Sequence, residues 1–177
     1  MKIGHNMKNL GNYILKKARI AGICEPWADL VGTTDSVGEL LKLYVKGIDF
    51  CLEKNFPSNA DLMRLGGKVL EKYGIHVDKE VSGIGADFTV LLGTCKAKLQ
   101  YGSFSAAQLF VKHSSVANVF AYDNAFVMID CFDNAVVNVT AYGNSKVVVN
   151  VYKYAQITQK ASDNAIIKVV HKNKSSY

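Results

Sequence analysis

Arginine is missing from residues 81–177, and proline occurs only at Pro26 and Pro57. The first absence removes the forked guanidinium that reads phosphate and base edges, so a strong nucleic-acid face is not expected there. The second, with no long Gly/Ser stretch, leaves no composition-marked linker. The four cysteines, Cys24, Cys51, Cys95 and Cys131, are never paired at metal-ligand spacing, which excludes the familiar zinc sites. They read as reduced, apolar-behaving residues. No apolar run is long enough to span a membrane, and residues 1–9 are polar, so a cytoplasmic protein without a secretory leader is expected.

What is present is globular: 177 residues, 49% hydrophobic and 20% charged, against the low-hydrophobicity profile of disorder. The net charge is +6, with 12 Lys+Arg against 10 Asp+Glu in residues 1–80 and 9 against 5 in residues 81–177. That mild, dispersed excess is the ordinary solubilising kind.

Residues 1–80 read as a helical domain. Leu10, Ile14, Ala18 and Ala21 share helical spacing up to Gly22. Pro26 suits the first turn of a second helix, with Trp27, Leu30 and Val31 as its apolar side. Ser36 and Glu39 form a capping box for a third helix striped by Leu41, Tyr44, Ile48 and Leu52 and ended by Asn55 and Pro57. A fourth opens at Ser58, runs along Leu62, Leu65, Val69 and Tyr73, and closes at Gly74, with Gly66-Gly67 read as close packing. The helices are expected to cap the domain that follows, whose end strands would otherwise recruit another chain.

Residues 81–177 are a ten-residue repeat, with rows beginning at Leu91, Tyr101, Val111, Ala121, Cys131, Ala141, Val151 and Ala161. Position five is small throughout (Cys95, Ser105, Ser115, Ala125, Ala135, Ser145, Ala155, Ala165), and positions seven, nine and one are mostly apolar. These positions alternate at the period of a strand, so they point inward. Positions two to four carry turn residues, as in Tyr122-Asp123-Asn124 and Phe132-Asp133-Asn134. Ten residues cannot close a coil around side chains, and Asn124, Asn144 and Asn164 recur every twenty. The expected fold class is therefore α+β: a helical domain, then a β-solenoid with two rows per coil. The alternative is an antiparallel β-meander with a hairpin at each corner.

Catalytic candidates fail in turn. His5, His76, His113 and His171 lie in separate segments. Cys95 and Cys131 fall in inward columns, and Cys51 lies beside a helical apolar face. Asp123, Asp133 and Asp163 offer one carboxylate per corner, too few oxygens for a calcium ladder, and read as turn residues. The glycines from Gly83 to Gly93 lack phosphate-loop spacing. No catalytic residue, metal or cofactor is expected. The candidate binding residues are the corner aromatics Tyr122, Phe132, Tyr142 and Tyr152 with Lys146, Lys153, Lys168 and Lys172, because exposed rings beside lysines can stack bases and neutralise phosphates. The competing reading is that the rings pack along the stack. Lys112 lies near them in sequence.

The stretch Gly47-Ile48-Asp49-Phe50-Cys51-Leu52, then Asn55-Phe56-Pro57-Ser58, then Gly74-Ile75-His76-Val77-Asp78, and the rows opening Ala121-Tyr-Asp-Asn-Ala and Cys131-Phe-Asp-Asn-Ala together resemble an uncharacterised family of phage and mobile-element proteins from gut-type bacteria. The resemblance implies a cytoplasmic setting in an infected or element-carrying bacterial cell, and it supplies no site residues. The function expected is a non-catalytic interaction protein that binds and blocks a host defence complex, through a protein or its RNA, in the manner of an anti-CRISPR. The alternative is a structural or accessory virion protein. The final row, Ala161–Val170, is β-prone and rimmed by Lys168, His171, Lys172 and Lys174. Its edge is expected to be capped by the tail or to serve as a homodimer contact or target surface.

Overall fold

The computed structural model describes residues 10–177. Helices occupy the described residues from Leu10 to Tyr73, and the unit Gly74–Ser176 is built from strands.

In the helical unit, α1 (Leu10–Ile20) buries Gly11, Ile14 and Ala18. Gly22, at φ 88, turns the chain out of it. Helix α2 (Glu25–Gly32) carries Pro26 in its first turn and buries Ala28 and Val31. Leu30, expected on its apolar side, is half-exposed. Helix α3 (Val37–Lys46) starts where expected: Ser36 Oγ accepts the Glu39 N–H at 3.1 Å. The Glu39 carboxylate accepts from Lys42 at 2.7 Å.

The third helix was expected to run unbroken to Leu52. It stops at Gly47 and restarts as α4 (Ile48–Lys54). Gly47 is a weak helix former, and the Trp27 ring lies 3.4 Å from where a Cβ would stand. Asn55, left-handed at φ 49, ends α4. Helix α5 (Asn59–Gly66) is capped by Ser58 Oγ, which accepts the Asp61 N–H. It ends eight residues before the expected Gly74, because Gly67 (φ 48, ψ −126) breaks the ladder and a 3-10 segment (Gly67–Tyr73) follows. The stripe shifts with it: Leu70 is buried, and Val69 is not.

Asp61 ties α1 to α5. Its carboxylate accepts from Lys17 Nζ (2.6 Å), Ser58 Oγ (2.8 Å) and Tyr13 OH (3.0 Å). A carboxylate this withdrawn from water needs such partners.

The second unit is a parallel β-solenoid. One sheet holds β1 (Ile75–Val77), β3 (Phe88–Leu92), β5 (Ala106–Val111), β7 (Phe126–Cys131), β9 (Lys146–Tyr152) and β11 (Ile166–Lys172), in that order. The other holds β2 (Glu80–Ile84), β4 (Lys96–Tyr101), β6 (Val116–Ala121), β8 (Val136–Ala141) and β10 (Gln156–Ala161). Every pairing is parallel, which excludes the meander. Val127 faces Val147 and Asn118 faces Asn138, so a coil takes twenty residues. The first coil is shorter, with Ile75 opposite Val90 and Glu80 opposite Lys96. A boundary at residue 80 therefore cuts into the first coil. Its different length hides it from a ten-residue comparison.

Positions five, seven, nine and one fill the interior. Leu109, Val119, Ile129, Val139 and Val149 are at most 2% exposed. The inward serines Ser115 and Ser145 donate to carbonyls of the coil below, Gly93 and Ala121, each at 3.2 Å. Among the described residues, no helix is long and apolar enough to cross a membrane.

Candidate functional site

The corners gather the polar side chains, and their geometry is set by position three of each row. Ser103, His113, Asp123, Asp133, Gly143 and Asp163 there all have φ between 52 and 68. Asp and Gly tolerate that left-handed region better than most residues do. The position-five N–H then returns to the position-two carbonyl, as from Ala125 to Tyr122 and from Ala135 to Phe132, closing a four-residue turn.

This turn directs the position-three N–H along the stack, where the next coil must accept it. Asp123 takes the Ser103 N–H at 3.1 Å, Asp133 that of His113 at 3.1 Å, and Asp163 that of Gly143 at 3.0 Å. At the first coil the direction is reversed: Asp78 takes the position-four Thr94 N–H of the coil that follows it, at 2.8 Å. Where Asp is lacking, His113 Nδ1 accepts from the Gly93 N–H at 3.0 Å, and the Lys174 carbonyl accepts from the Lys153 N–H at 3.3 Å. Each corner carboxylate is thus committed to a backbone donor. Beside the turns run amide ladders: Asn164 to Asn144 at 3.2 Å, Asn138 to Asn118 at 3.0 Å, and Asn150 to Asp130 at 2.7 Å.

The aromatics divide between two edges. Tyr122 and Tyr142 stack on one, with centroids 5.5 Å apart and rings 13° from parallel. The Tyr122 ring also covers Gly102, where any Cβ would meet it at 2.1 Å. Phe132 and Tyr152 stack on the other at 4.4 Å. Phe132 and Tyr152 are buried, so their place in a base-stacking platform is corrected: they are packing residues, and of the four candidate rings Tyr122 and Tyr142 alone reach solvent. Of the lysines, Lys146 lies on the outer face of β9 in register between Phe126 and Ile166. Lys153 Nζ sits 5.0 Å over the Tyr154 ring. Lys168 is exposed on β11 opposite Val148, and Lys172 stands half-buried opposite Tyr152. The eight candidates therefore form no single site. Lys168 and Lys172 share β11, and Lys146 and Tyr152 stand at the two ends of β9.

Two buried charges of the solenoid stand outside these candidates: Asp130, which accepts from the Asn150 amide, and Lys112. Lys112 is 3% exposed, with its Nζ 2.9 Å from Asp133 Oδ2 and 5.5 Å from the Phe132 ring centre. It occupies position two, the column of Leu92, Phe132 and Tyr152 on that edge. That shared column was the available signal.

The three buried thiols are not poised for nucleophilic work, while Cys24 is exposed. Burial pushes Cys51 and Cys131 up to about 12 and also raises Cys95. His5 lies outside the described residues. Among those described, no group of three or more His, Cys, Asp and Glu side chains could hold a metal ion. His113 has its pKa lowered by burial and then by Lys112, with Asp133 and Asp78 opposing. The fold thus favours the neutral ring, whose Nδ1 can accept. The stability that His113 contributes is therefore complete above its ordinary range and is lost as pH falls through the lowered folded value. Unfolding free energy should fall on acidification below neutrality, and His113→Asn, which keeps a short acceptor but cannot titrate, should flatten that fall. Denaturant melts across pH check it; an unchanged slope in the variant would contradict the assignment.

No family model, curated protein or solved structure matches the chain.

Proposed function

We propose that this chain is a non-catalytic interaction protein. The observation that carries the reading is the commitment of its reactive side chains. Corner carboxylates hold backbone donors, Lys112 is paired with Asp133, and three of the four cysteines are buried. Catalysis requires such groups to be free, convergent and aimed at a substrate. A solenoid filled by its own side chains offers instead a rigid outer surface and strand edges.

The partner is a component of a host bacterial cell, best a protein of a defence complex. The resemblance to phage and mobile-element proteins supports that setting, and the dispersed charge without arginine in residues 81–177 favours protein over RNA. The test is capture by the purified full chain from bacterial lysate, with and without nuclease, followed by reconstitution with the purified candidate. A nuclease-resistant complex of fixed stoichiometry is expected. Capture lost to nuclease would move the reading to RNA, and no reconstituted complex would overturn it.

A further inference from the structure

Alternate residues of a parallel strand turn their backbone groups to opposite neighbours. In this solenoid the even-numbered residues bond to the preceding coil, as Ile166 N–H does to the Ser145 carbonyl and Asn164 N–H to that of Gly143. The odd-numbered residues bond to the following one. Among the described residues no strand follows β10 or β11. Odd-numbered backbone groups there, at Ile157, Gln159 and Ala161 and at Ile167, Val169 and His171, face outward along the stack. The tail reaches the corner, where Lys174 accepts from Lys153, and pairs as a strand with neither.

The two edges differ. Strand β10 is blunted by Gln156, Thr158, Gln159 and Lys160, the kind of polar dressing that keeps an edge from pairing. Strand β11 is apolar, with Ile166 57% exposed and Ile167, Val169 and Val170 half-buried. Its charge is one-sided. Residues 151–177 carry Lys153, Lys160, Lys168, Lys172 and Lys174 against the single acid Asp163, and that carboxylate is already bonded to the Gly143 N–H.

We infer that the free edge of β11 is a docking site for one extended, acidic segment of a partner protein, which adds as a further strand. This rests on the proposed function and names the surface it uses. Main-chain bonds would form to Ile167, Val169 and His171. Apolar side chains of the segment would lie over Ile167 and Val169. Its carboxylates, on the opposite face, would reach Lys168 and Lys172, the alternation that strand addition reads. A second copy stacked as a full coil fits less well. It would bury Gln159 and His171, which replace inward Val139 and Val151 of the coil below, and like charges would meet if two such ends faced each other. A single added strand on β11 leaves β10, and with it Gln159, in water.

The test uses the isotope-labelled full chain and three probes: a short peptide of alternating valine and glutamate, one of alternating valine and lysine, and a single-stranded oligonucleotide. The valine–glutamate peptide should saturably shift the amides of Ile167, Val169 and His171. Val169→Pro removes an edge N–H where proline is tolerated, and should abolish binding. The double change Lys168→Glu with Lys172→Glu keeps the backbone, and should weaken binding about tenfold. Equal binding of the valine–lysine peptide, tighter binding of the oligonucleotide at the same amides, or self-association through β11 without any probe would each overturn the inference. If both variants still capture the wild-type chain's partner, the edge is not the site and the proposed function stands. If the wild-type chain captures no partner, the proposed function fails, and the peptide titration still decides the edge.

Discussion

Asp133→Ala is expected to destabilise the solenoid by about 3 kcal/mol, because it strands a buried ammonium. Lys112 is 3% exposed and has Asp133 Oδ2 at 2.9 Å. The same oxygen accepts the His113 N–H at 3.1 Å, so the substitution leaves two donors at once. Removing the other partner should behave differently. Lys112→Met keeps a long apolar stem in a column of Leu92, Phe132 and Tyr152, takes away the charge that needed pairing, and should be neutral or stabilising by about 1–2 kcal/mol. Chemical denaturation of the three chains checks the pair. Equal losses from both substitutions would mean that the ion pair itself, rather than the desolvation of one member, sets the energy.

The second large effect concerns the interior. Ile129 is fully buried on β7, between Leu109 and Val149 in register. Ile129→Ala should cost about 2–5 kcal/mol, since a coil stacked on both sides cannot collapse into the gap. Gln108→Ala, one residue from inward Leu109 but on the outer face, should stay within about 0.5 kcal/mol. Thermal melts of both test the alternation directly. Comparable losses would contradict the assignment of faces.

The interior columns and the coil length were legible in the sequence because they repeat. Small residues at position five and aliphatics at seven and nine encode two faces, and Asn144 and Asn164, twenty apart, bond as amides at 3.2 Å. The division of the aromatics between two edges followed from the same coil length. Which edge would be buried did not: Phe132 and Tyr122 look alike in a row, and only their neighbours in the stack separate them. The role of Asp133 was half-visible. A turn residue was expected, but its acceptor duty toward the left-handed residue one coil away needs the register, which joins residues twenty apart. Lys112 looked like any surface lysine because its partner is twenty-one residues distant. In the helical unit the caps at Ser36 and Ser58 were readable, since they are local. The break at Gly47 was not, because Trp27 against Gly47 is a contact between distant segments, whereas the close packing expected at Gly66-Gly67 is local, Leu70 lying against Gly66.

The central claim is a parallel coil of twenty residues that presents β11 as an open edge, and amide hydrogen exchange of the full chain tests it most directly. Within β11, the Lys168 and Val170 amides point to β9 and should be protected along with the interior coils, while those of Ile167, Val169 and His171 should exchange rapidly. Alternating protection along one strand is the predicted result. Uniform protection of Ile166–Lys172 would mean that the edge is already occupied, and uniform rapid exchange would mean that β11 is not paired with β9; either would contradict the account.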